Sequence, residues 1–252
     1  MHPASTDGSG TIRRLATWVI AGQLAWLAAV AVAGAVEPGY SELRDAVGFL
    51  GARNAAHPWI FWVAVTISGL SYLALAVALL IDGPRGALGP ALIALAGVAQ
   101  VLNGFVFPVD CRSSIDLGCN AREAIGHVSW QHVAHESAFI LGAVAVQLSV
   151  FAMAWRFHGD RRWGSADRLA LGAGLLGLLA FGLPFTLVSD DPHDLYGLAQ
   201  RLTLAAGAAW IVALAVGLLV VNAAAATGRR PEPLRDRSAP PHRDRGGEGA
   251  AP

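Results

Sequence analysis

The residues best suited to chemistry stand in one short run, where His132 is followed by His135 and Glu136, three and four positions on. On a helix that spacing puts all three side chains within an arc of about 100°. Two imidazoles and a carboxylate on one face can bind a divalent metal, relay protons or hold a polar ligand group. A metal needs further ligands, and His57, His127 and His193 are the histidines that folding would have to bring in. The order His-x-x-His-Glu is not the His-Glu-x-x-His of zinc proteases, so the metal question stays open. Asp110, Asp190, Asp191 and Asp194 supply more acids, but Ser113, Ser114 and Ser129 sit in no nucleophile motif. The pattern therefore leans away from an enzyme, and no cofactor is expected. A haem would want facing histidines deep in apolar helices, and none lies there.

Cys111 and Cys119 are the only cysteines in the chain and lie eight positions apart. In an oxidising compartment such a pair closes into a structural disulfide, whereas a redox-active pair is more often Cys-x-x-Cys. The expectation is a disulfide in a loop, residues 108–136, that faces away from the cytoplasm.

The elements that must position these groups are long and apolar. Six uncharged runs, residues 15–36, 59–81, 87–107, 137–155, 169–188 and 202–221, each suffice to cross about 30 Å of hydrocarbon at roughly 1.5 Å per helical residue. Charged residues make up 14% of the chain, yet none falls in these runs, so all of them crowd into the connections and the ends. The predicted fold is all-α, an integral membrane bundle of six transmembrane helices filling residues 15–222 and leaving no room for a separate soluble domain. The first run, preceded by Arg13 and Arg14, also has the look of a signal peptide, but its apolar stretch exceeds the usual core of about 7–15 residues.

Every basic residue is arginine, and their distribution sets an orientation. With residues 1–14 in the cytoplasm, thirteen arginines fall inside and five outside, in keeping with the positive-inside rule. Both termini are then cytoplasmic, and residues 223–252, rich in charge, proline and glycine, form a disordered cytoplasmic tail. Trp18, Trp155 and Trp163 fall near the inner boundary and Trp59, Trp62 and Trp130 near the outer one, as interfacial aromatics do. Arg201 lies at the outer boundary, where Asp190, Asp191 and Asp194 are its expected partners and headgroup contact is the alternative.

The stretch Gly104-Phe105-Val106-Phe107-Pro108-Val109-Asp110, then His132-Val133-Ala134-His135-Glu136-Ser137-Ala138-Phe139, then Gly197-Leu198-Ala199-Gln200-Arg201-Leu202 with Trp210 beyond, resembles a bacterial and archaeal membrane family called domain of unknown function 998. The resemblance covers roughly residues 15–222. It implies a six-helix membrane protein and carries no catalytic residues over. The expectation is thus a non-enzymatic protein of the plasma membrane, with an outward polar mouth of Asp110, His132, His135, Glu136 and Arg201. Its partners are membrane lipids and a small-molecule or protein ligand on the outer face, with no nucleic acid. A solute transporter or channel is the alternative, predicting a polar passage past Gln100, Asn103 and Gln147; an intramembrane metal site or enzyme is the third.

Overall fold

The computed structural model describes residues 6–83, 86–112, 115–160, 162–164, 166–186 and 195–227. Among them lie seven α-helices, one 3-10 turn and no strand. The helices are α1 (Thr6–Val36), α2 (Pro58–Asp82), α3 (Leu88–Phe105), α4 (Leu117–Ala124), α5 (Trp130–Phe157), α6 (Ala166–Thr186) and α7 (Tyr196–Ala226); the 3-10 turn η1 (Val47–Gly51) precedes α2. Five stretches are long and apolar enough to cross a membrane: Gly8–Val36, Pro58–Asp82, Leu88–Phe105, Trp130–Phe157 and Tyr196–Ala226. This is a multi-pass membrane protein. In α6 the apolar stretch found is shorter, Arg168–Gly177. Helices α1, α5 and α7 run well past the uncharged segments expected from sequence, because a helix keeps its backbone bonds satisfied as it leaves hydrocarbon, whatever its side chains. So residues 223–226, expected in the tail, continue α7, while 228–252 lie outside the described residues.

The long helices form a closed ring in chain order, α1 on α2, α2 on α3, α3 on α5, α5 on α6, α6 on α7 and α7 back on α1. Small residues allow the tightest crossing. A Cβ on Gly69 would lie 2.7 Å from the Gly97 carbonyl oxygen, and one on Gly97 would lie 2.8 Å from that of Gly69, so α2 and α3 meet backbone to backbone. Between α1 and α2 the buried Gln23 amide donates to the hydroxyls of Ser68 and Ser71, a polar clasp in an apolar interface.

Contacts along the ring define two ends. One gathers the start of α1 (Ile12) with the later turns of α2 (Leu79), α5 (Phe157) and α7 (Leu218) around one apolar core, so both described chain ends emerge there. At the opposite end, η1 tucks Val47 and Leu50 against Trp26 and Phe61, and the cysteines lie above. Trp59 and Trp130 at the cysteine end, and Trp18 and Trp155 at the other, are exposed, the disposition of headgroup-level rings. Trp62 and Trp163 instead pack inward: Trp62 donates to the Gly51 carbonyl, and Trp163 stacks on Phe157 with ring centroids 4.1 Å apart.

Arg156 is the buried charge that closes the terminal end. Its guanidinium donates to the carbonyls of Leu79 and Gly83 at the end of α2, at 2.7 and 2.8 Å, and to Gly86 at 2.7 Å. These helix-end carbonyls have no helical partner, and a cation complements the dipole there. Arg156→Met should therefore lower stability by about 2–3 kcal/mol, the scale of hydrogen bonds to a charged group, as read by thermal unfolding in detergent. A variant melting with wild type would show that water already serves these carbonyls.

Candidate functional site

Asp110, in the segment leaving α3, fixes the cysteine end. Its carboxylate accepts from the Ser129 backbone N–H and from the Ser129 hydroxyl, both at 2.6 Å. The Ser129 oxygen in turn accepts from the His132 N–H at 3.2 Å, which makes Ser129 the N-cap of α5. Burial pushes the Asp110 carboxyl up, but the two Ser129 bonds and Arg53 outweigh it and hold the group below the usual carboxylate range. Arg53 stands 4.0 Å away.

His132, 1% exposed, is the centre of the cluster. The Asp110 backbone N–H points at its Nδ1 at 3.3 Å, while its Nε2 lies 2.9 Å from a Glu123 oxygen and 3.4 Å from one of Glu136. Glu123 comes from α4, a helix capped by Asp116, which accepts from the Cys119 N–H at 3.0 Å. The expected Cys111–Cys119 disulfide is present, and it ties α4 to the segment holding Asp110. The staple thus carries Glu123 to the histidine.

Ligand atoms of Glu123, His132 and Glu136 lie within 4.8 Å of one another, close enough to share a cation. The proton count points elsewhere. An N–H aimed at Nδ1 needs a lone pair there, which leaves the ring proton on Nε2, the atom a metal would take. The same proton is well placed between the two carboxylates, so the arrangement is read as a hydrogen-bonded bridge.

His135, 7% exposed, makes no bond to this bridge. Its Nδ1 lies 2.8 Å from the Phe107 carbonyl oxygen, which can only accept, so the proton sits on Nδ1 and Nε2 carries a lone pair.

Arg201 does not join the cluster. It donates to the carbonyls of Glu42 (2.6 Å), Asp45 (3.2 Å) and Gly197 (3.0 Å), and to the Tyr40 hydroxyl. It therefore pins the loop between α1 and η1 to the start of α7. Burial pushes the Tyr40 phenol up to about 12, against the pull of Arg201, so it stays neutral beneath that cation. Asp190, Asp191, Asp194 and His193 lie outside the described residues. His57 and His127 are exposed. A neighbouring ion pair, Arg112 with Glu37 at 2.7 Å, is buried and ties the cysteine loop to the end of α1.

Beneath the cluster opens a cavity of about 1230 Å³. It is framed by α5, α6 and α7, with α1, α2, α3 and η1 behind, and it extends from Glu123, His132 and Glu136 to Arg162 and Trp163 near the other end. Its walls are chiefly alanine, leucine, valine and aromatic side chains, with Gln100, Asn103, His135, Gln147, Gln200 and Thr203 as polar points. The void exists because α5 and α7 scarcely touch across the ring, and α6 spans the space between them.

A family model described as "Protein of unknown function (DUF998)" matches residues 19–217. The chain belongs to this family. No curated protein and no solved structure matches it. The DUF998 match covers Asp110, the α4 helix, the α5 histidines, Arg201 and the cavity walls except Val220 and Val221. Sequence spacing identified the His132 and Glu136 pair, one helical turn apart; Glu123 went unnoticed as a partner, because it reaches them from another helix. The available signal was the N-cap Asp116 before Leu117-Gly118-Cys119, marking a short helix under the staple.

Asp110→Asn should cost about 1–2 kcal/mol near neutral pH by weakening both Ser129 bonds. A carboxyl held below its ordinary value adds stability above its unfolded pKa, about 3.9, and that stability fades as pH falls through the depressed folded value. Melting curves of the two proteins should accordingly converge in acid; a gap independent of pH would remove the carboxylate from the account.

Proposed function

We propose that this DUF998 protein is a six-span binding protein of the plasma membrane that takes an amphiphile, its apolar chain in the cavity and its polar head beneath the Glu123, His132 and Glu136 mouth. Chain ends are cytoplasmic in this reading, loop 108–136 is extracytoplasmic, and α6 crosses the membrane as the fifth of the six spans. The observation that carries it is the cavity itself. At about 1230 Å³ it exceeds the roughly 300–1,000 Å³ of ordinary small-molecule pockets, and its long apolar walls end in polar groups at the cysteine end. An apolar chain gains about 0.8 kcal/mol per buried CH₂ on leaving water, a gain a polar solute would forgo.

One feature favours the transporter as the second reading: the same cavity reaches Arg162 and Trp163 near the terminal end. A transporter needs both ends to open in turn, whereas a binding protein needs one.

Native mass spectrometry of the purified protein should show a co-purifying amphiphile. Gly207 lines the void, and a Cβ placed on it would stand 3.7 Å from the Tyr72 hydroxyl and 3.9 Å from Val146, so Gly207→Phe has room to project into the space and obstruct it. That variant should melt no lower than wild type and lose the bound species. A Gly207→Phe variant that carries the amphiphile as fully as wild type would sink the proposal. Orientation has its own measurement: a membrane-impermeant maleimide applied to intact cells should label Cys111 and Cys119 only after reduction. Absence of labelling even after reduction would place the loop inside.

A further inference from the structure

We propose that the bound amphiphile carries a hydrogen-bond-donating head, a hydroxyl or an ammonium, received by Nε2 of His135, and that anionic amphiphiles are refused; this rests on the cavity reading above. His135 is more than nine-tenths buried and lines the cavity. With its proton committed on Nδ1 to the Phe107 carbonyl, its Nε2 presents a lone pair that has no hydrogen-bond partner among the described residues. An acceptor that borders the cavity without a protein donor is a place where a ligand hydroxyl or ammonium can donate. Space beside this nitrogen is kept by a glycine, since a Cβ on Gly48 would lie 3.0 Å from Nε2.

Charge gives the same selection. Glu123 and Glu136 line the cysteine end of the cavity, while Arg162, the one lining arginine among the described residues, lies at the other end. A carboxylate or phosphate head would meet like charge at this end, and an ammonium would meet opposite charge. Hydroxyl heads are indifferent to that field and depend on the His135 acceptor.

The test uses the full-length protein in detergent and four probes of equal chain length, hexadecan-1-ol, hexadecylamine, hexadecanoic acid and hexadecane, competing with tritiated hexadecan-1-ol. Alcohol and amine should compete at least about tenfold better than the acid. Two variants silence Nε2 separately. His135→Asn keeps an amide N–H for the Phe107 carbonyl and deletes Nε2, while Gly48→Ala, at a backbone position outside the left-handed region, covers Nε2 with a methyl group. Each should weaken the alcohol about tenfold and leave hexadecane unchanged. If His135→Asn fails to fold, Gly48→Ala decides. An acid that competes as well as the alcohol, or variants that bind the alcohol as wild type does, would overturn the head-group assignment with the cavity reading intact. Binding of none of the four probes would overturn both.

Discussion

A helix in hydrocarbon satisfies its own backbone everywhere except at its ends, where the last carbonyls and first amides have no helical partner. This protein answers that constraint with its few buried ions and hydroxyls. Arg156 serves the end of α2, Ser129 held by Asp110 serves the start of α5, and Arg201 serves the loop carbonyls that lie against α7. Polar groups at the ends are thus structural before they are anything else. The functional candidates are those whose bonding capacity remains after the ends have been served.

That distinction sorts the residues at the cysteine end. Arg201 satisfies four partners and has no role left to fill. Asp110 is occupied on both oxygens, and its amide sets the proton of His132. His132 therefore presents Nε2–H to two carboxylates, an arrangement that binds α4 to α5 and closes the mouth. His135 keeps an unused lone pair toward the cavity, as do the Gln100 and Asn103 amide oxygens in the same wall. The histidines are three residues apart in sequence and do opposite things, one donating outward to acids, the other accepting inward.

The apolar spans were legible in the sequence because the exclusion of charge from hydrocarbon is steep; α1, α2, α5 and α7 reach or pass the expected bounds, while α3 stops at Phe105, short of residue 107. The α5 pair was legible because one helical turn leaves a face that needs no tertiary knowledge. Glu123 and the loop partners of Arg201 were not legible: Glu123 meets His132 across a chain reversal, and the arginine binds backbone oxygens, which every residue possesses. The aspartates expected beside Arg201 lie outside the described residues, and among those described it binds carbonyls that loop 37–46 brings to it. The cavity left no trace either. Ala208 is in the core and Ala206 lines the void, and no periodicity tells them apart.

What separates core from cavity is the geometry of ring closure. Helices α2 and α3 approach through facing glycines, and α1 joins α2 through the Gln23 clasp, so this side of the ring packs tightly. Across from it, α6 meets α5 and α7 with the Gly174 carbonyl accepting from Gln147, and among the described residues no comparable glycine-to-glycine crossing draws α5 onto α7. One half of the ring is closed by backbone contact and the other by side chains that stop short of one another. A membrane-facing void follows from that asymmetry, and its polar end lies where the stapled α4 brings a second carboxylate over the α5 histidines. The disulfide therefore does more than stabilise a loop: by fixing α4 it sets the charge at the cavity mouth, and with it the class of head group that can settle against His135.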